Sequence, residues 1–173
     1  MKRDGTSKRN VLLFVAGGAG AASNDDFFFG KASLNQTASG NKKNGSSGNQ
    51  KFIFRDEKDI FSGGAGVFKG PVSRGLRVGS VAPKSYKDGL IGGKGIDLNE
   101  ELTEGGFGGG GAHYYKNGHN YCGAGGGYTG GGTKLSGYDS CNGGGGGSFS
   151  IDEEAKFDHV HENYAKCTVT YLD

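Results

Sequence analysis

Apolar residues in this chain come as short runs that stop at glycine, with almost none at the spacing of an amphipathic helix. Residues 11–16 (VLLFVA) halt at Gly17-Gly18, as a buried strand does, and 27–29 (FFF) form a second short run. Residues 51–55 (KFIFR) alternate and predict a strand. Val67-Phe68 and 76–78 predict two short strands on either side of Gly70-Pro71. Residues 96–103 (IDLNEELT) predict one or two helical turns. Strand character resumes at 148–151. The last nine residues are the clearest strand, with Cys167, Val169 and Tyr171 on one face and Lys166, Thr168 and Thr170 on the other. Between the early strands, residues 30–50 are polar without a periodic apolar face and predict a solvated loop.

Between the flanking strands lies a different kind of sequence. Of the 38 glycines, 20 fall between Gly105 and Gly147. They form the runs GGFGGGG at 105–111, GAGGGYTGGG at 123–132 and GGGGGSF at 143–149. A glycine-rich stretch is ordinarily a flexible linker. Fixing backbone costs about 1–2 kcal/mol per residue, so ordering the 43 residues of this stretch costs on the order of 50–80 kcal/mol. Three features favour order here. The runs lack the Ser, Gln and Pro of a linker. Phe107, Tyr114, Tyr115, Tyr121, Tyr128, Tyr138 and Phe149 can pack over backbone, and strands pin both ends. Collagen is excluded, because glycine does not recur strictly every third residue and the chain has 2 prolines. An arginine-glycine RNA-binding segment is excluded for want of arginine. The remaining ordered option is a bundle of polyproline-II-type glycine helices. Their outward N–H and C=O groups bond to neighbours that approach closely because no side chain intervenes. The scaffold positions are Gly105, Gly106, Gly108, Gly109, Gly110, Gly125, Gly126, Gly127, Gly130, Gly131, Gly144, Gly145 and Gly146. The expected fold class is mainly β and irregular, with packed glycine helices beside a small antiparallel β part and little α-helix. Residues 1–10 form a basic tail, and 11–173 a single domain with its glycine core at about 105–147.

Composition narrows the function classes. Hydrophobic types make up 33%, and eleven Phe and eight Tyr are the main apolar reserve. A net charge of +2 argues against a nucleic-acid or membrane-surface role driven by bulk charge. The run at 11–16 is too short for a signal-peptide core, and no apolar run approaches a membrane span. The chain is thus expected to insert into no membrane by itself and to be a fragment of a longer protein. Cys122 and Cys141 share the glycine-rich stretch and are candidates for a disulfide closing a loop, the alternative being two free thiols. Such a bond implies an oxidising compartment. Asn35-Gln-Thr37 and Asn44-Gly-Ser46 are glycosylation sequons in the polar loop, so Asn35 and Asn44 are candidate acceptors.

No catalytic set emerges. The β3-lysine, HRD and DFG motifs of a protein kinase are missing from the sequence, and GGKG at 92–95 lacks the Ser or Thr of a phosphate loop. GxGxxG matches follow trivially from poly-glycine. His159 and His161, with Asp158 and Cys167 nearby, lack a second ligand pair at zinc spacing. His113 and His119 bracket Asn117-Gly118 and are expected to be exposed beside a turn. No catalytic residue, metal site or cofactor is expected.

The motifs LLFVAGGAGA at 12–21, SGGAGVFK at 62–69, EGGFGGGG at 104–111, CGAGGGYTGGG at 122–132 and GGGGGSFSI at 143–151 occur in this order. In that order they resemble the glycine-rich extracellular domain of the anaplastic lymphoma kinase and leukocyte tyrosine kinase receptors. HENYAKCTVTYL at 161–172 is similar to the strand that closes that domain. The resemblance implies a non-catalytic, ligand-binding ectodomain on the extracellular side of the plasma membrane. It also implies a small cytokine-like protein ligand and receptor dimerisation as partners, with any kinase domain elsewhere in a parent protein. The matching motifs are scaffold motifs, so no ligand-contact residue carries over. A structural or adhesive surface protein using the same scaffold without signalling is the alternative.

Overall fold

The computed structural model describes residues 11–21, 31–38, 63–71, 80–97, 99–116, 119–135 and 141–156. Where apolar residues meet glycine, the chain forms strands of two or three residues. The strands make four antiparallel pairs. β1 (Phe14–Val15) pairs with β8 (Phe149–Ser150), Phe14 opposite Ser150 and Val15 opposite Phe149. The other three pairs are local hairpins. β2 (Lys94–Ile96) pairs with β3 (Leu102–Glu104), β4 (Tyr114–Lys116) with β5 (His119–Tyr121), and β6 (Thr133–Leu135) with β7 (Cys141–Gly143). One 3-10 turn, Tyr86–Asp88, ends at Gly89 with φ 105°, and the Ser85 hydroxyl donates to Asp88 Oδ2 at 2.6 Å. Among the described residues there is no α-helix. The described residues are mostly irregular backbone with short antiparallel strands, as the sequence predicts.

The backbone between strands is nonetheless regular in its bonding. Along 123–127, successive residues turn to different neighbours. Gly123 and Gly126 accept from Ala21 N and Gly18 N at 2.9 and 2.8 Å. Ala124 accepts from Gly111 N at 2.8 Å, and three residues on Gly127 donates to Ala65 O at 3.2 Å. Gly125 donates to Gly144 at 2.9 Å and accepts from Gly131 N at 2.8 Å. The first of these faces therefore returns to the same neighbour every third residue. The segment at 17–21 repeats the rhythm: Gly18 and Ala21 accept from Gly146 N and Gly143 N at 2.7 and 2.6 Å.

The glycines follow the same period. A Cβ on Gly17 would overlap Gly146 O, one on Gly146 would overlap Gly126 O, and one on Gly126 would overlap Gly108 O. Three residues along each segment, Gly20 stands against Gly143 O, Gly143 against Gly123 O, and Gly123 against Gly111 O. Among the described glycines only Gly89, Gly108 and Gly109 take positive φ. Glycine is therefore used here mainly for room, so that backbones can touch, and only at these three for left-handed geometry. The remaining core is small: Ala65, Ala112, Ala124, Val67, Tyr121 and Cys122 are buried. Fully buried Thr129 donates its hydroxyl to Gln36 O at 2.6 Å, so it carries no unpaired polar atom.

Several expectations need correction. Residues 96–103 are no helix: Ile96 closes β2 and Leu102 opens β3. The reason is Asp97, whose Oδ1 accepts from Asn99 N and Glu101 N, both at 2.9 Å, folding the chain into a turn with Glu100 at φ 65°. Val67-Phe68 is a bend rather than a strand, closed by Gly66 N donating to Lys69 O at 2.9 Å. Two hairpins interrupt the glycine block, where no strand was expected. The close-packed glycines also reach beyond 105–147 to Gly17, Gly20, Gly64, Gly92 and Gly95. The strands expected at 27–29, 51–55, 76–78 and the last nine residues lie outside the described residues.

Candidate interaction surface

Because glycines occupy much of the interior, many large apolar side chains are left outside. Val11, Leu13, Phe14, Phe68 and Tyr86 are all more than two-fifths exposed and, with Val67, line a groove of about 470 Å³. β1 supplies one wall and the 3-10 turn the other. Phe68 of this lining also belongs to an aromatic cluster. Tyr128 lies face to face with Phe149 at 4.6 Å between centroids, and Phe68 meets Tyr128 edge-on at 6.3 Å. Lys87 Nζ sits 5.5 Å over the Phe68 ring, a cation–π contact that fixes the rim. An open apolar face of this kind, on a rigid base, is suited to bury another protein's side chains.

A second concave region is built from backbone. Segments 16–21, 104–111 and 123–126 enclose a groove of about 580 Å³ with Phe107 at its edge. Phe107 is 91% exposed at the turn carrying Gly108 and Gly109, at φ 89° and 87°.

The scaffold glycines named from the sequence separate into kinds. Gly105, Gly125, Gly126, Gly130, Gly131, Gly145 and Gly146 each face a carbonyl that a Cβ would overlap. Gly127 stands close to Gly147, and Gly110 close to Gly106, while Gly109 meets Ala65. Gly144 accepts from Gly125 and donates to Gly132 O at 2.6 Å. Gly106 and Gly108 have open space where a Cβ would go, so only the φ of Gly108 demands glycine there.

Cys122 is buried. It follows β5 directly, and β5 packs against β7, which begins at Cys141. The fold thus brings the two backbones together. His113 is half-buried rather than exposed, its carbonyl accepting the Thr103 hydroxyl, and His119 lies on β5. Asn35 is exposed; Asn44, Asp158, His159, His161 and Cys167 lie outside the described residues. Among the described residues, no three His, Cys, Asp or Glu side chains gather as a metal site, and no helix is long and apolar enough to cross a membrane. The exposed groove escaped sequence reasoning, because VLLFVA reads as core in isolation. Comparison with protein-family models, curated proteins and solved structures finds no match to this chain.

Proposed function

We propose that this chain is a non-catalytic, ligand-binding ectodomain of the glycine-rich receptor type, acting at the extracellular side of a plasma membrane within a parent receptor. The observation that carries the proposal is the division of labour in the fold. A backbone lattice with a three-residue rhythm forms the base, and the exposed apolar side chains of Val11, Leu13, Phe14, Phe68 and Tyr86 stand on it. In finer detail, the glycine segments are polyproline-II-type helices. That geometry has three residues per turn and bonds only to neighbours, which accounts for the alternation along 123–127. Cys122 and Cys141 form its disulfide, and the partner is a small cytokine-like protein that brings two receptors together.

The test is binding of the exported chain to secreted proteins of its own source, measured by surface immobilisation. Phe68→Asp should abolish binding while leaving the melting temperature within a few degrees. Leu102→Asp, on an exposed strand of another hairpin, should bind normally. Binding unaffected by Phe68→Asp, or no protein ligand at all, would remove the proposal in favour of a structural or adhesive role.

A further inference from the structure

We propose that Asn35 is an N-glycosylation site whose amide nitrogen the fold holds clear for modification. The Asn35-Gln36-Thr37 sequon by itself is a common pattern. The structure adds an unequal use of the two ends of the side-chain amide. Asn35 Oδ1 accepts from the Thr37 backbone N–H and from the Ser33 hydroxyl, each at 2.9 Å. A backbone N–H can only donate, so it is the oxygen of Asn35 that faces it. Nδ2 is left on the opposite side of the amide and makes no hydrogen bond among the described residues.

The surrounding backbone is anchored independently of that nitrogen. Ser33 N donates to Gly146 O at 2.8 Å, Ser148 N to Asn35 O at 2.8 Å, and Thr129 Oγ1 to Gln36 O at 2.6 Å. A Cβ on Gly147 would lie 2.5 Å from Gln36 O and 3.1 Å from Asn35 O, which shows how tightly this loop sits on the lattice. A sugar on Nδ2 breaks none of these contacts. Modification joins Nδ2 to the anomeric carbon of a lipid-pyrophosphate-linked oligosaccharide. The carbon–oxygen bond to pyrophosphate breaks, the lipid pyrophosphate leaves, and the nitrogen loses one proton. The glycan then projects from the end of the lattice where residues 33–36 cover Gly146 and Gly147.

This inference rests on the exported location in the proposed function, so the experiment imposes export. The full chain is expressed behind a cleavable secretory leader in cultured eukaryotic cells, and the intracellular and secreted pools are digested together. Trypsin separates residues 32–42, which carry Asn35, from 44–51, which carry Asn44. Treatment with peptide:N-glycosidase in heavy-oxygen water converts an occupied Asn to labelled Asp. The expected result is label on peptide 32–42, retained in Thr37→Ser and lost in Thr37→Ala and Asn35→Asp. Asn35→Asp keeps an oxygen acceptor for Thr37 N–H and should therefore fold and melt like the unglycosylated parent. An unlabelled 32–42 peptide, whatever the state of Asn44, overturns the inference. It leaves the ectodomain proposal standing, since that depends on ligand binding through the Phe68 face and not on sugar.

Discussion

Gly17 and Gly18 are adjacent and chemically identical, yet the fold asks different things of them. A Cβ on Gly17 would overlap the Gly146 carbonyl, whereas on Gly18 the nearest atom is Gly126 O at 3.5 Å, an ordinary contact. Overpacking between side chains costs about 1–3 kcal/mol, and a carbonyl held in a bonded lattice can retreat less than a side chain. Gly17→Ala should therefore lower stability by about 3 kcal/mol or more, while Gly18→Ala stays within about 1 kcal/mol of the parent. Urea unfolding of the pair measures the difference. By the same reasoning Gly106→Ala is tolerated, and Gly126→Val or Gly145→Val abolishes folding and binding together. Thr129→Val removes the buried hydroxyl that donates to Gln36 O and should cost about 1 kcal/mol. The sequence shows where glycine is dense but not which glycines are indispensable. A clue lies in the alanines. Ala16 and Ala19 are three apart and both exposed, which marks the outward phase of the segment whose inward phase is Gly17 and Gly20.

Elements of three residues are hard to foresee, because so short a strand owes its existence to what closes it. In 94–104 the closure is Asp97. Asp97→Ala removes acceptors for Asn99 N and Glu101 N and should lower stability by about 1 kcal/mol, with faster amide exchange confined to that hairpin. The Lys94–Glu104 pair at 3.9 Å spans the same hairpin, but both side chains are more than half exposed, so its removal should change little. The sequence 96–103 suggested helix because Leu and Glu favour it; a side chain bonded to its own backbone outweighed that preference. The strands at 14–15 and 149–150 were foreseeable, since each is an apolar run next to a glycine run. Their pairing across the whole chain was not, because nothing local encodes it.

At the scale of the molecule, order in a glycine-rich chain depends on mutual support among segments that are individually unstable. The legible part was the argument that runs pinned at both ends can be ordered. The groove around Phe68 was illegible, since exposure of apolar residues follows from an interior already filled by backbone. Amides that bond across the lattice, such as Gly18, Ala21, Gly125 and Gly144, should exchange slowly, and exchange as fast as in a free peptide would contradict the fold. Non-reducing digestion of exported protein should yield a Cys122–Cys141 linked peptide. The long reach of the bonds also governs how the chain comes to fold. Gly18 is held by Gly126 and Gly146, more than a hundred positions further along. Residues 17–21 must then wait on the ribosome until 123–146 emerge, and such non-local closure is slow. A nascent chain halted at residue 110 should leave the amides of Gly18 and Ala21 unprotected. Release of the complete chain should protect residues near 18, 125 and 144 in a single kinetic phase, readable by pulsed hydrogen exchange.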